Sequence, residues 1–247
     1  MHNDYQPSAD LLRDRKVLVT GAGDGIGRAM SLAFAAHGAT VVLLGKTVPK
    51  LEAVYDAIER SGGPTPAIYP MHLEGASPHD FDALADTLQE NFDHLDGLLH
   101  NAAILPYLSR IKDYDATDWL KVIQVNLNAP FVLTQACLPL LERSADARVL
   151  FTTDATGQHG KAFWGAYSAS KFAIEGLAQT LADELEKTAV RVNVIDPGPT
   201  RTALRRRVFP GEDDQALKSP DALAPLYLWA MGPDSRDCHG TRLCWDD

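Results

Sequence analysis

The sequence predicts an α/β fold in which a doubly wound parallel sheet is covered by helices on both faces. Three observations predict it. Short β-branched or apolar runs alternate along the chain with longer stretches of helical periodicity, the pattern of strands joined by crossover helices. A glycine-rich stretch, TGAGDGIG at Thr20–Gly27, directly follows the first such run and opens the first helical stretch. The chain has 247 residues, 45% hydrophobic and 23% charged, which suits one well-cored domain spanning 1–247.

The elements follow in order. A strand at Val17–Val19 leads into a helix over Gly25–His37, where Ile26, Met30, Ala33 and Phe34 form an apolar stripe before a stop at Gly38. Strands at Val41–Leu44 and Ala67–Met71 enclose a helix over Val48–Arg60, and a helix over Pro78–Asn91 precedes a strand at Gly97–Leu99. One long helix is expected over Thr117–Leu141, then a strand at Val149–Thr152 and a helix over Ala166–Lys187. Strands at Val190–Ile195 and Gly240–Cys244 complete the pattern. Between them, 198–218 reads as a long, mobile connection covering the cleft, against the plainer reading of a solvated surface segment.

Composition excludes several function classes. A formal net charge of −10 opposes general nucleic-acid affinity, which needs a surplus of Lys and Arg. The N-terminal MHNDYQPSAD lacks a signal pattern and no apolar run reaches membrane-spanning length, so a cytoplasmic protein without membrane partners is expected. Cys137, Cys238 and Cys244 form no CxxC pair and the histidines no metal-ligand spacing, so neither disulfide nor metal is expected.

The glycine-rich stretch carries the first functional signal. Gly21 and Gly25 let the backbone approach a pyrophosphate, Gly27 permits close helix packing, and the helix N-terminus offers free N–H groups to the anion. At the second strand end, an acid would bond ribose hydroxyls and repel a 2′-phosphate. This chain has Leu44-Gly45-Lys46 there, which favours NADP(H) over NAD(H). Against that stand the opposing charge of Asp24 and the plainer reading of Lys46 as a surface lysine.

The second signal is Tyr167-Ser-Ala-Ser-Lys171. At i and i+4 the two side chains share one helix face, and a nearby ammonium lowers a phenol's pKa, which suits proton exchange with a carbonyl or alcohol oxygen.

With these motifs the chain resembles the short-chain dehydrogenase/reductase family nearly end to end. TGAGDGIG resembles the family's cofactor loop, and His100-Asn101-Ala102-Ala103 its Asn-Asn-Ala-Gly motif. Gln124-Val-Asn126-Leu matches the helix that supplies an active-site Asn, and Asp196-Pro197-Gly198-Pro199-Thr200 matches the Pro-Gly motif. The stretches around Trp164–Phe172 and Pro225–Gly232 resemble the YciK-type bacterial branch. The resemblance implies a seven-stranded Rossmann-type sheet and hydride transfer between NADP(H) and a small-molecule carbonyl or alcohol. It gives Tyr167 the proton, has Lys171 lower its pKa and bind the nicotinamide ribose, and has Asn126 hold a relay water. Asn101 and Ala102 would line the adenosine ribose, and Pro197, Gly198 and Thr200 would fix the nicotinamide. Asp24, Ile26, His72 and Leu73 would complete the cofactor contacts. It also implies a homodimer or homotetramer through the helix over Ala166–Lys187, presenting Phe172, Glu175, Gln179 and Leu185 outward.

Three positions depart from the pattern. Thirteen residues before Tyr167, where the family places a Ser that bonds the substrate oxygen, stands Asp154. An ionised carboxylate only accepts hydrogen bonds and repels a developing oxyanion. Asp154 is then a protonated donor, or Thr153 or Thr156 replaces the Ser, or oxidoreductase activity is lost while nucleotide binding stays. Thr153 would need a bulge to face the site, which favours Thr156. The second departure is His72, where an Asp receives the adenine amino group, and the third is Ala103 in place of the motif's Gly.

Overall fold

The computed structural model describes residues 4–245. The span of 1–247 expected for the domain therefore includes 1–3 and 246–247, which lie outside the described residues. Seven parallel strands form one sheet in the order β3-β2-β1-β4-β5-β6-β7, with β1 Lys16–Thr20, β2 Thr40–Gly45, β3 Ala67–Pro70, β4 Gly97–His100, β5 Ala147–Thr152, β6 Val190–Asp196 and β7 Arg242–Cys244. The order reverses between β1 and β4, so their C-terminal ends open a crevice at the switch point.

Strand alternation divides the core in two. Leu18, Leu98, Val149 and Phe151 pack beneath α3 (Pro78–Asn91), α5 (Ala129–Glu142) and α6 (Gly165–Glu184). Val17, Val19, Leu99 and Leu150 face α1 (Gly25–Ala36), α2 (Val48–Arg60) and α8 (Ala224–Met231). The five inner strands are largely buried on both faces and read as continuous apolar runs, whereas the edge strands β3 and β7 are only partly buried.

The remaining helices are α4 (Ala116–Ile123) and α7 (Ala203–Val208). The long helix expected over Thr117–Leu141 is instead α4, a π-helical turn over Gln124–Asn128 and α5 in unbroken succession. The π turn continues the helix with no break, so a pattern reading merges the three. The helix α8 has no amphipathic signal because it is apolar all round, with Leu226, Tyr227, Leu228, Ala230 and Met231 buried. The last strand is shorter than expected, because Gly240 lies in a left-handed turn at φ +63 before it. Among the described residues no helix is long and apolar enough to cross a membrane.

Candidate active site

Thr20, the last residue of β1, joins the two sides of the crevice. Its Oγ1 accepts the N–H groups of Asn101 at 3.0 Å and Ala102 at 3.1 Å and donates to the Leu99 carbonyl at 3.3 Å. Sequence reasoning missed Thr20, whose only signal was a hydroxyl at the C-terminal end of a central strand. Beyond it Gly21 and Gly25 take left-handed φ values of +69 and +50. A Cβ on Gly27 would lie 2.2 Å from the Gly21 carbonyl oxygen, so the loop folds against the first turn of α1 only with glycine there.

Asp24 caps α1 by accepting the Gly25 N–H at 2.8 Å, and its second oxygen is paired with Lys50 on α2. The ion pair with Lys50 holds its carboxyl below the ordinary value. Asp24 therefore does not stand as an unopposed negative charge in the loop, as the sequence suggested. No acidic residue lies in the first helical turn. A helix N-terminus with this loop conformation fits the pyrophosphate of a dinucleotide.

The adenosine end is less uniform. Lys46 is exposed just beyond β2, and His72 is exposed in the loop after β3. Leu73 points into the core beside Phe81 and Val125, and Ile26 packs against the other core, so both support the loops from beneath. His100 is a core residue, stacked on Phe151 at 4.6 Å and bonded through Nε2 to Thr134 at 2.8 Å.

Tyr167 and Lys171 occupy successive turns at the start of α6, and both are buried. Lys171 Nζ donates to the Thr152 carbonyl at 2.8 Å and lies 5.3 Å from the Tyr167 ring centre. Burial pushes the ammonium down to about 8, against the opposing influence of the Asp154 and Asp196 carboxylates. The same burial and the same two carboxylates hold the Tyr167 phenol well above its ordinary value. This differs from the expectation of a lowered phenol pKa: desolvation comes first, and the Asp154 and Asp196 carboxylates act in the same direction.

Asn126 sits in the π turn, a feature often found at functional positions. Its Oδ1 accepts the Ile104 N–H at 2.8 Å, and its Nδ2 donates to the Ile104 carbonyl at 3.0 Å and to Ser170 Oγ at 3.2 Å. Ser170 in turn donates to the Tyr167 carbonyl at 2.7 Å. Ser170, unremarked in the sequence, thus couples Asn126 to the helix that bears Tyr167.

Asp154 Oδ1 accepts the Thr156 N–H at 2.8 Å and caps the short turn over Ala155–Gly157. Thr153 faces away, its hydroxyl donating to Glu175 Oε1 at 2.8 Å, so it does not replace the missing Ser. The Thr156 hydroxyl is buried and has no hydrogen-bond partner among the described residues.

The two ends of the segment 198–218 are joined to each other. Thr200 bridges to Lys218, the Arg201 N–H bonds the Lys218 carbonyl at 2.9 Å, and Lys218 Nζ bonds the Pro199 carbonyl at 3.1 Å. Gly198 is left-handed at φ +62, and its N–H bonds Asp196 Oδ1 at 2.9 Å. Leu204, Val208 and Phe209 from α7 and the residue after it pack on Leu105, Trp164 and Tyr167. Two of the three arginines in the basic run are paired, Arg205 with Glu212 at 2.6 Å and Arg206 with Asp214 at 2.8 Å. The cluster over Tyr167 is apolar, with cations at its edge: Arg205 Cζ lies 4.1 Å from the Phe209 ring centre and Lys161 Nζ 5.6 Å from that of Trp164.

The outward face expected of α6 is also corrected. Phe172 and Gln179 are exposed, but Glu175 is ion-paired inside the fold and Leu185 belongs to the core.

Comparison with known proteins adds a relationship to this geometry. The family described as short chain dehydrogenase matches residues 15–213. The chain is 48% identical over 232 residues to the uncharacterised oxidoreductase YciK of Escherichia coli K12, covering 94% of this chain and 92% of that protein. A Shigella flexneri protein solved in complex with NADP is 45% identical, with a TM-score of 0.95 over 97% of this chain and 100% of that one. An Escherichia coli CFT073 protein solved in complex with NADPH is 47% identical, with a TM-score of 0.94 over 96% of this chain and 99% of that one.

Proposed function

The chain belongs to the short-chain dehydrogenase family, and from that premise we propose that it is an NADP(H)-dependent oxidoreductase acting between a carbonyl and an alcohol. The observation that carries the reading is a juxtaposition. The glycine loop at α1, the Tyr167–Lys171 pair and the turn at Pro197–Thr200 all lie at the C-terminal edge of one sheet. The bound nicotinamide supplies the hydride chemistry.

Each residue then has a task. The first turn of α1 with Gly21, Asp24, Gly25 and Gly27 receives the pyrophosphate, and Asn101, Ala102 and His72 border the adenosine. Pro197, Gly198 and Thr200 orient the nicotinamide end. Tyr167, kept neutral by burial, holds the proton that a carbonyl oxygen needs on reduction. Lys171 binds the ribose beside it, and Asn126, through Ser170, fixes the helix that carries both and holds the relay water. The apolar underside of α7 excludes water above Tyr167.

Lys46 selects the cofactor in this reading, because the Asp24–Lys50 pair removes the charge that would repel a 2′-phosphate. Lys46→Glu is expected to weaken NADPH by about tenfold or more, the scale of one charge-assisted contact, while NADH affinity holds or improves. Fluorescence titration with both nucleotides checks this, and an unchanged NADPH-to-NADH ratio would remove Lys46 from the proposal.

A second reading is favoured by Asp154: a catalytically weak nucleotide-binding protein acting as sensor or scaffold. It predicts an inert wild type in a screen of carbonyl substrates and a gain of about 10²-fold or more in Asp154→Ser, the worth of one restored donor. Robust wild-type turnover rejects it and leaves the Thr156 hydroxyl or Asp154 itself as the partner of the substrate oxygen.

The proposal extends to self-association as a homodimer or homotetramer, supported by exposed Phe131 on α5 and Phe172 on α6. It also extends to a cytoplasmic setting, supported by Cys137 and Cys238, neither of which is in a disulfide among the described residues.

A further inference from the structure

Arg242 on β7 has no place in the roles above, yet it touches three of the segments that carry them. Its Nη2 donates to Asp196 Oδ2 at 2.6 Å and reaches the Asp154 carbonyl at 3.4 Å, and its Nη1 is ion-paired with Glu175 Oε1. Glu175 stands one helical turn beyond Lys171 on α6, and the same oxygen accepts the Thr153 hydroxyl at 2.8 Å. Asp196 ends β6, and its other oxygen accepts the Gly198 N–H at 2.9 Å. One planar cation therefore joins the end of β5, the helix bearing Tyr167 and Lys171, and the turn after β6.

We propose that Arg242 is a positioning residue for the nicotinamide end of the site. It holds the Asp196–Gly198 turn and the Thr153–Asp154 strand end in register with Tyr167 and Lys171. This rests on the function proposed above. The arrangement calls for arginine, because its rigid fork meets two carboxylates and a carbonyl at once, whereas a lysine ammonium is a single point charge. The side chains of Arg242, Asp196 and Glu175 are at most 15% exposed, so loss of the guanidinium strands two carboxylates with little solvent to replace it. The strand itself has other anchors. Three residues of β7 pair with β6, Leu243 packs in the core, and the Thr241 N–H bonds Asn193 Oδ1 at 2.9 Å.

The test compares two nucleotides by calorimetric titration against wild type, Arg242→Met, Arg242→Lys and Glu175→Gln. NADPH needs both halves of the site, whereas 2′,5′-ADP needs only the glycine loop and the end of β2. The expected result is a loss of about tenfold in NADPH affinity for Arg242→Met and for Glu175→Gln, with 2′,5′-ADP within about twofold of wild type. Arg242→Lys is expected to weaken NADPH as well. A staple of general stability would weaken both nucleotides alike, and that result, or unchanged NADPH affinity, overturns the proposal. Wild-type protein that binds neither nucleotide overturns the cofactor assignment and this inference with it. Wild type that binds both while the variants show no selective loss overturns this inference alone. Glu175→Gln keeps the side-chain shape and carries the same comparison if Arg242→Met does not fold.

Discussion

Tyr167→Phe is expected to reduce turnover by about a thousandfold or more while leaving NADPH binding and thermal stability close to wild type. The substitution is clean for structural reasons. The ring is buried against Trp164, with centroids 5.7 Å apart, and against Leu105, contacts that Phe keeps. No described residue hydrogen-bonds the Tyr167 hydroxyl, so its removal strands no buried partner and only the exchangeable proton is lost. Burial and two neighbouring carboxylates hold that proton on the phenol, which is the form that donates to a carbonyl oxygen. Steady-state rates across a carbonyl panel, paired with nucleotide titration, measure the effect. Turnover that survives the change would sink the proposed role, whereas loss of both binding and rate would mean that the hydroxyl supports cofactor binding rather than proton exchange alone.

Gly27→Ala is the second large effect, and it acts on the opposite side of the site. The added Cβ would lie 2.2 Å from the Gly21 carbonyl oxygen and 2.7 Å from Asn101 Nδ2. An amide side chain can rotate away, but the carbonyl belongs to a main chain already held by Thr20 and the left-handed Gly21. The loop must move, displacing the Asn101 side with it. We expect a stability loss of about 1–3 kcal/mol, the usual cost of overpacking, and NADPH affinity reduced by at least about tenfold. Thermal melts and NADPH titration check this against Gly176→Ala on the exposed side of α6, where a Cβ meets nothing within 4 Å. That control is expected to be neutral or slightly stabilising, because alanine exceeds glycine as a helix former. Equal behaviour of the two variants would mean that the loop is free to move and that Gly27 is not what holds it.

Asp154 shows where charge and geometry part company. Its position in the chain announces a carboxylate where a hydroxyl is expected, and that much needs no structure. The capping bond to the Thr156 N–H and the orientation of Thr153 toward Glu175 depend on how the end of β5 turns against α6. The same holds for Lys46 and Lys50. Both are visible as lysines near the second strand, but only the fold brings Lys50 to Asp24 and leaves Lys46 exposed.

The sequence alone determined the strand and helix succession, the glycine loop, and the Tyr167–Lys171 pair, because each depends on neighbours a few residues apart. Periodicity, a turn requirement and an i, i+4 spacing are local properties, so they survive without any knowledge of packing. Tertiary structure decided the rest. It split one expected helix with a π turn that re-aims Asn126, buried an apolar helix that has no amphipathic stripe, and turned Glu175 from an outer face to an internal ion pair. It also reversed the expected effect on Tyr167, because a phenol's proton affinity depends on the solvent and charges around it. Burial comes first, and the carboxylates of Asp154, just beyond β5, and Asp196, at the end of β6, are brought beside the phenol only in the folded chain.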